Sequence, residues 1–136
     1  MIGVVVVTHG QLARELLNAA EAIVGDLPQF SAVSIGWHDD VEDSREEIRQ
    51  AINRIQEGGR VLLLTDMFGG TPSNLGMTFL EPSKVEVVTG VNLPMLIKLS
   101  GLQHSDDLTA VARELRETGR KAIHVASDLM LGENRS

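Results

Sequence analysis

Four short apolar runs, separated by segments with helical periodicity, are the feature that most constrains the fold of this chain. The runs lie at Met1–Thr8, Phe30–Ile35, Arg60–Thr65 and Lys84–Thr89. In the first and third runs the apolar residues are continuous, at Val4–Val7 and Val61–Leu64, which is typical of strands buried on both faces. Alternating strands and helices predict a parallel sheet covered by helices. We therefore predict an α/β fold with a doubly wound, mostly parallel sheet in three αβα layers, its strand order beginning 2-1-3-4.

The end of the chain has a different pattern. Lys121–Leu129 alternates, with Ile123, Val125 and Leu129 on one side. Such alternation is typical of a strand with one solvent-facing side, so we predict a C-terminal antiparallel edge strand here. The length of the chain corresponds to one domain. We place that domain at residues 1–130 and expect residues 131–136 to form a frayed tail.

Composition argues against several classes of function. The chain has 136 residues, 12 Lys and Arg against 19 Asp and Glu, and a net charge of −7. Nucleic acids and anionic membranes need clustered Lys or Arg, so neither is expected as a partner. No apolar run is long enough to span a bilayer, and the first residues lack the basic region of a secretory signal. The chain has no cysteine, which fits a reducing compartment, and we expect a cytoplasmic protein.

Two side chains with chemical potential follow the first and third predicted strands. His9 comes directly after strand 1 and Asp66 directly after strand 3. In open α/β sheets the functional site lies beyond the carboxyl ends of the strands, where the strand order reverses, so a 2-1-3 order predicts that the two residues are neighbours. A carboxylate that holds one ring nitrogen leaves the other as a nucleophile. Taken alone, a histidine at a strand end is more often an ordinary loop residue.

A glycine-rich turn follows Asp66 directly. Gly69-Gly70-Thr71-Pro72 runs into a predicted helix, with Thr71 placed to cap it and Pro72 at its first position. Exposed N–H groups and the positive end of the helix dipole favour an anion at such a turn. The alternative interpretation is a tight turn that needs positive φ and carries an ordinary cap.

Together, the histidine, the carboxylate and the turn suggest phosphoryl transfer through a phosphohistidine at His9, with Gly69, Gly70 and Thr71 binding the phosphoryl group. Such transfer needs mainly positioning and fixed N–H dipoles, so no metal and no organic cofactor are expected.

Three ordered motifs resemble the IIA component of the mannose-type sugar phosphotransferase system (PTS). The motifs are Val6–Gly10, Asp66–Asn74 and Gly90–Leu96, and the likeness runs in register from residue 1 to about residue 125. Thr71 keeps the hydroxyl that many members of the family supply as serine, and Phe68 lies near a position where an indole is frequent.

The resemblance implies a phosphotransferase that works as a phosphocarrier. In that reading, His9 accepts a phosphoryl group from the phosphocarrier HPr on Nε2, and Asp66 hydrogen-bonds the other ring nitrogen. The phosphoryl group then passes to a histidine of a IIB component. The resemblance further implies a homodimer with an exchanged C-terminal strand, for which residues 121–129 are the candidate.

Other readings of the same residues were compared with this one. A response-regulator receiver would be phosphorylated on Asp66, but it also needs an acidic pair at the end of strand 1 to hold Mg²⁺, where Thr8-His9-Gly10 stands. A nucleotide-binding module is not supported, because neither G-x-G-x-x-G nor G-x-x-x-x-G-K-[ST] occurs. The nearest alternatives keep the chemistry and change the purpose: a phosphotransfer subunit of a dihydroxyacetone kinase, or a regulatory sensor of phosphorylation state.

The loop after strand 2 carries the sequence Trp37-His38-Asp39-Asp40. Adjacent residues rarely ligate one metal ion well, so we expect a solvated loop here and no metal site. Trp37 is the single tryptophan of the chain, and a partly buried core position or an interface anchor is the default expectation for it.

Overall fold

The computed structural model describes residues 1–55 and 59–131, in which strands and helices alternate along most of the chain. The elements are β1 (Gly3–His9), α1 (Leu12–Val24), β2 (Phe30–Ile35), α2 (Val41–Ile55), β3 (Val61–Thr65), α3 (Thr71–Met77), β4 (Val85–Thr89), α4 (Leu93–Leu99), α5 (Leu108–Lys121) and α6 (Ala126–Met130).

The sheet is parallel throughout, in the order β2-β1-β3-β4. Helices cover both of its faces, which confirms the predicted doubly wound α/β fold. On β1, Val4 and Val6 pack toward α1, α4 and α5, whereas Val5 and Val7 pack toward α2 and α3. Both sets of side chains are fully buried. Two-sided burial is the physical reason for the unbroken apolar runs in the sequence.

The sheet topology also places the chain reversals that matter for the site. β1 is a central strand, paired with β2 on one side and β3 on the other. In these pairings His9 lies opposite Ile35, and Val7 lies opposite Thr65. The loops that follow β1, β2 and β3 therefore leave the sheet at one edge, side by side.

The predicted antiparallel strand over residues 121–129 is wrong for the chain on its own. Lys121 ends α5, and Ala126–Met130 forms the short helix α6, none of whose residues is buried. A strand needs a neighbouring edge to satisfy its backbone groups. In the described part of the chain this segment pairs with no strand, and a helical turn satisfies part of its backbone locally. Residues 132–136 of the expected tail lie outside the described residues.

None of the helices described is at once long enough and apolar enough to cross a membrane.

Candidate active site

His9 and Asp66 are in direct contact at the carboxyl edge of the sheet. The Nδ1 atom of His9 lies 2.8 Å from Oδ2 of Asp66, and the backbone N–H of His9 donates to the same oxygen at 3.0 Å. The two residues are 57 positions apart in sequence, and the β1–β3 pairing brings them together. The structure thus places these two predicted site residues at the same point.

The backbone around His9 is held by neighbouring polar groups. The Thr8 hydroxyl accepts a hydrogen bond from the N–H of Ala13 at 2.7 Å and donates to the carbonyl of His9 at 3.2 Å. Gly10 donates its N–H to the carbonyl of Ile35 at 2.9 Å. Thr8, which is completely buried, therefore ties the end of β1 to the start of α1. The sequence analysis did not identify this role, although a threonine directly before the histidine is a visible signal for it.

The exposure of the pair is asymmetric. The His9 side chain is 52% exposed, whereas that of Asp66 is 12% exposed. Burial by itself raises the pKa of the Asp66 carboxyl, but the hydrogen bonds from the ring and backbone of His9 and the charge of that ring outweigh it, so that the net pKa is lowered. Asp66 is therefore an anion at neutral pH and can only accept hydrogen bonds at Oδ2.

This anion selects one tautomer of the neutral imidazole. Because Oδ2 cannot donate, the ring proton lies on Nδ1 and points to Asp66. Nε2 then carries the free lone pair. No hydrogen bond to Nε2 occurs among residues 1–55 and 59–131, so this atom is available to an electrophile.

The glycine turn lies against the free edge of the imidazole. Gly69 and Gly70 have φ values of 88° and 89°, which side chains other than glycine rarely tolerate. A Cβ atom at Gly70 would lie 3.3 Å from both Nε2 and Cε1 of His9, whereas one at Gly69 would meet nothing within 4 Å. Close approach to the ring thus adds to the conformational requirement at Gly70 alone.

The start of α3 differs in detail from the prediction. Gly70 is the N-cap and Thr71 the first helical residue, and the Thr71 hydroxyl makes no capping hydrogen bond. Thr71 as a cap is therefore wrong by one position, because the positive φ of Gly70 lets the chain enter the helix one residue earlier. The buried Ser73 hydroxyl instead accepts from the N–H of Gly69 at 3.3 Å.

The first backbone bond of α3 runs from the N–H of Asn74 to the carbonyl of Gly70. Groups that precede this bond have no partner within the helix. The N–H groups of Thr71 and Ser73 are of this kind, while Pro72 has none. They are the donors that this turn can offer to an anion.

The acidic loop after β2 has a structural role in place of a metal site. The Asp39 carboxylate accepts the N–H of Gly36 at 2.6 Å, and the Asp40 carboxylate accepts the N–H groups of Glu42 and Asp43 at 2.8 and 3.1 Å. No group of three or more His, Asp or Glu side chains that could hold a metal ion occurs within the described ranges.

Comparison with known proteins identifies the family. A family model described as the PTS system fructose IIA component, EIIA-man, matches residues 3–116. The chain belongs to the EIIA-man family. The matched range contains His9, Asp66 and the glycine turn.

Named relatives agree with this assignment. The chain is 30% identical over 129 residues to the PTS system fructose-specific EIIA component of Bacillus subtilis, covering 94% of this chain and 88% of that protein. It is 31% identical over 127 residues to the mannose-specific EIIAB component of Escherichia coli, covering 90% of this chain but only 39% of that longer protein. A solved mannose/sorbose specific IIA subunit from Enterococcus faecalis has 28% identity and a TM-score of 0.77, covering 90% and 92% of the two chains.

The bonds to Asp66 lead to a prediction for its titration. In the wild type its pKa should lie below the ordinary value of 3.8. In His9→Ala it should rise, because the ring hydrogen bond is lost while the backbone N–H remains. The folded wild-type carboxyl binds fewer protons than the unfolded one, so its stabilising contribution is present above pH 3.8 and is lost as pH falls through the lowered folded-state pKa. Carboxyl-detected NMR titration of both proteins measures this, and equal values would contradict it.

Proposed function

We propose that this protein is a phosphocarrier that accepts a phosphoryl group from phospho-HPr on His9 Nε2 and passes it to a histidine of a IIB component. The observation that carries the proposal is the exposed Nε2 of an imidazole whose Nδ1 lies 2.8 Å from Asp66. Membership of the EIIA-man family supports the same role. We place the reaction in the cytoplasm, in agreement with the composition.

The proposed transfer breaks one P–N bond and forms another. The Nε2 lone pair of His9 attacks phosphorus, and the electron pair of the bond to the donor imidazole returns to the donor nitrogen. Because the Nδ1 proton stays in place, positive charge develops on the His9 ring, and the Asp66 carboxylate stabilises it. The N–H groups at the start of α3 would face the phosphoryl oxygens. Transfer to IIB reverses these steps with a new acceptor nitrogen.

Phosphoryl labelling tests the roles of His9 and Asp66. With phosphoenolpyruvate, enzyme I and HPr, the wild type should acquire a label that is lost in acid and survives base. His9→Ala should acquire none. In Asp66→Asn, labelling should slow by about tenfold or more, because an amide can hold the ring in the wrong tautomer.

His104→Ala is the matched control for this labelling, since it removes another exposed histidine and should label normally. A label that is lost in base, as from an aspartyl phosphate, or full labelling of His9→Ala would contradict the proposal.

The two glycines of the turn form a matched pair for testing the phosphoryl site. Alanine at either position costs about 1–2 kcal/mol because of the positive φ. Only Gly70→Ala also places a methyl group 3.3 Å from Nε2, in the path of the incoming phosphoryl group. At a temperature where both variants are folded, labelling of Gly70→Ala should be roughly tenfold slower than that of Gly69→Ala. Equal labelling rates would show that the turn does not face the reacting atom.

The purposes considered from the sequence differ only in the acceptor. Relatives described as fructose-, mannose- and sorbose-specific components favour a sugar system. Under this proposal, labelled protein loses its phosphoryl group to a IIB component rather than to a dihydroxyacetone kinase subunit.

We further propose a homodimer in which residues 121–129 of each copy add an antiparallel strand to β4 of the other. β4 is an edge strand, and a cavity of about 510 Å³ lies between it and α5. Ile123, Val125 and Leu129, which share one side of the alternating pattern, are all exposed in the single chain. Pairing with a partner's edge would bury them and satisfy the backbone of both segments.

Sedimentation measurements test the dimer. The wild type should sediment as a dimer, and Ile123→Asp should shift it toward monomer, because a charge would enter the new interface. Ile23→Asp, which changes an exposed isoleucine on α1, should leave the dimer intact. A monomeric wild type at micromolar concentration would overturn the proposal.

A further inference from the structure

Two of the few aromatic side chains in this protein are exposed, and both lie at the edge of the sheet that carries His9. The chain has three Phe, one Trp and no Tyr. Trp37 is 93% exposed and Phe68 is 74% exposed, whereas Phe30 is buried and Phe79 packs against the core. Large aromatic side chains are normally buried for most of their surface, so this arrangement has a hydrophobic cost in the free protein.

The topology places these two side chains on opposite sides of His9. Ile35 is the register partner of His9 in β2, and Trp37 follows two residues later. Asp66 contacts His9 from the β3 side, and Phe68 follows it by two residues. Since β1 lies between β2 and β3, the imidazole has one exposed aromatic residue on either side. We call Trp37 and Phe68 the aromatic rim.

The loop that carries Trp37 is fixed at both ends by its own polar groups. Gly36 and Asp39 are joined by two hydrogen bonds, one to the Asp39 carboxylate at 2.6 Å and one to the Gly36 carbonyl at 3.3 Å. Asp40 caps α2. The carboxylates thus bind backbone while the indole remains in solvent, where it contacts the His38 ring edge-on at 6.5 Å between centroids. An aromatic side chain on a fixed loop loses little freedom on binding.

The surroundings of Trp37 are acidic. Residues 37–44 include four carboxylates, those of Asp39, Asp40, Glu42 and Asp43, and no Lys or Arg. All four residues are exposed. A surface that covers Trp37 would therefore be apolar at its centre and carry Lys or Arg at its edge.

We propose that the aromatic rim anchors the phosphoryl-donating protein, through an apolar surface of the donor that surrounds its phosphohistidine and has a basic edge. This inference rests on the proposed function. To react, the donor must bring its phosphorus to about 3–3.5 Å from Nε2. A contact of about 800 Å² per partner centred on His9 extends roughly 15 Å in every direction. Both rim residues lie within that radius, because each is two residues from a residue that pairs with or touches His9.

Kinetics with two phosphoryl donors test the anchor. In Trp37→Ala, kcat/KM for phosphorylation by phospho-HPr should fall about tenfold or more, as for an interface anchor. The rate with phosphoramidate, a small donor that needs no docking surface, should be unchanged. Leu80→Ala is the matched control, because it removes an exposed apolar side chain from the segment before β4, at the opposite end of the sheet. It should leave both rates unchanged.

Fluorescence gives a second measurement, since Trp37 is the single tryptophan. Adding a tryptophan-free HPr should shift its emission to shorter wavelength as the indole leaves water. Asp43→Lys should slow association and reduce its dependence on salt.

The outcomes separate this inference from the proposed function. If neither donor labels the wild type, the proposed function fails. If both donors label it and Trp37→Ala matches the wild type with phospho-HPr, the function stands and the anchor is overturned. An equal loss with phosphoramidate would also overturn it, because Trp37 would then act on the reactivity of His9. A loss confined to transfer from this protein to IIB would assign the rim to the acceptor instead.

Discussion

One oxygen atom, Oδ2 of Asp66, accepts both the backbone N–H and the ring Nδ1 of His9, and the rest of the site depends on this double contact. The backbone bond fixes where the histidine leaves β1, and the ring bond fixes which nitrogen faces outward. Each contact supports the other, since an ionised acceptor strengthens both hydrogen bonds. The two together lower the pKa of Asp66 against the opposing effect of its burial.

The sheet makes that contact possible at little local cost. β1 and β3 are adjacent and parallel, so residues that follow them arrive at the same edge without a strained connection. Their side chains fill both cores, which immobilises the strands from which His9 and Asp66 emerge. Thr8 then carries this rigidity into α1 through its hydroxyl. The precision of the site thus derives from buried apolar packing several residues away.

Patterns within one chain predicted the strands, their order and the meeting of His9 with Asp66, because all three follow from burial and parallel topology. The details of Thr71 were not predictable in this way. Its place depends on the positive φ of Gly70, and sequence spacing does not distinguish a cap from the residue after it. The segment 121–129 shows a different limit. Alternation records which side chains share a face, but whether a strand forms depends on an edge that the single chain does not supply.

The half-exposed imidazole explains why docking and chemistry belong together at this site. In the free protein, water surrounds Nε2 and weakens the interaction of Asp66 with any charge on the ring. A protein that covers the aromatic rim would exclude this water and strengthen the stabilisation of the cationic ring just as transfer begins. The same strengthening would act again when the acceptor docks and the phosphoryl group leaves. A carrier must release its cargo as readily as it takes it, and a site completed only by its partners satisfies both requirements with one geometry.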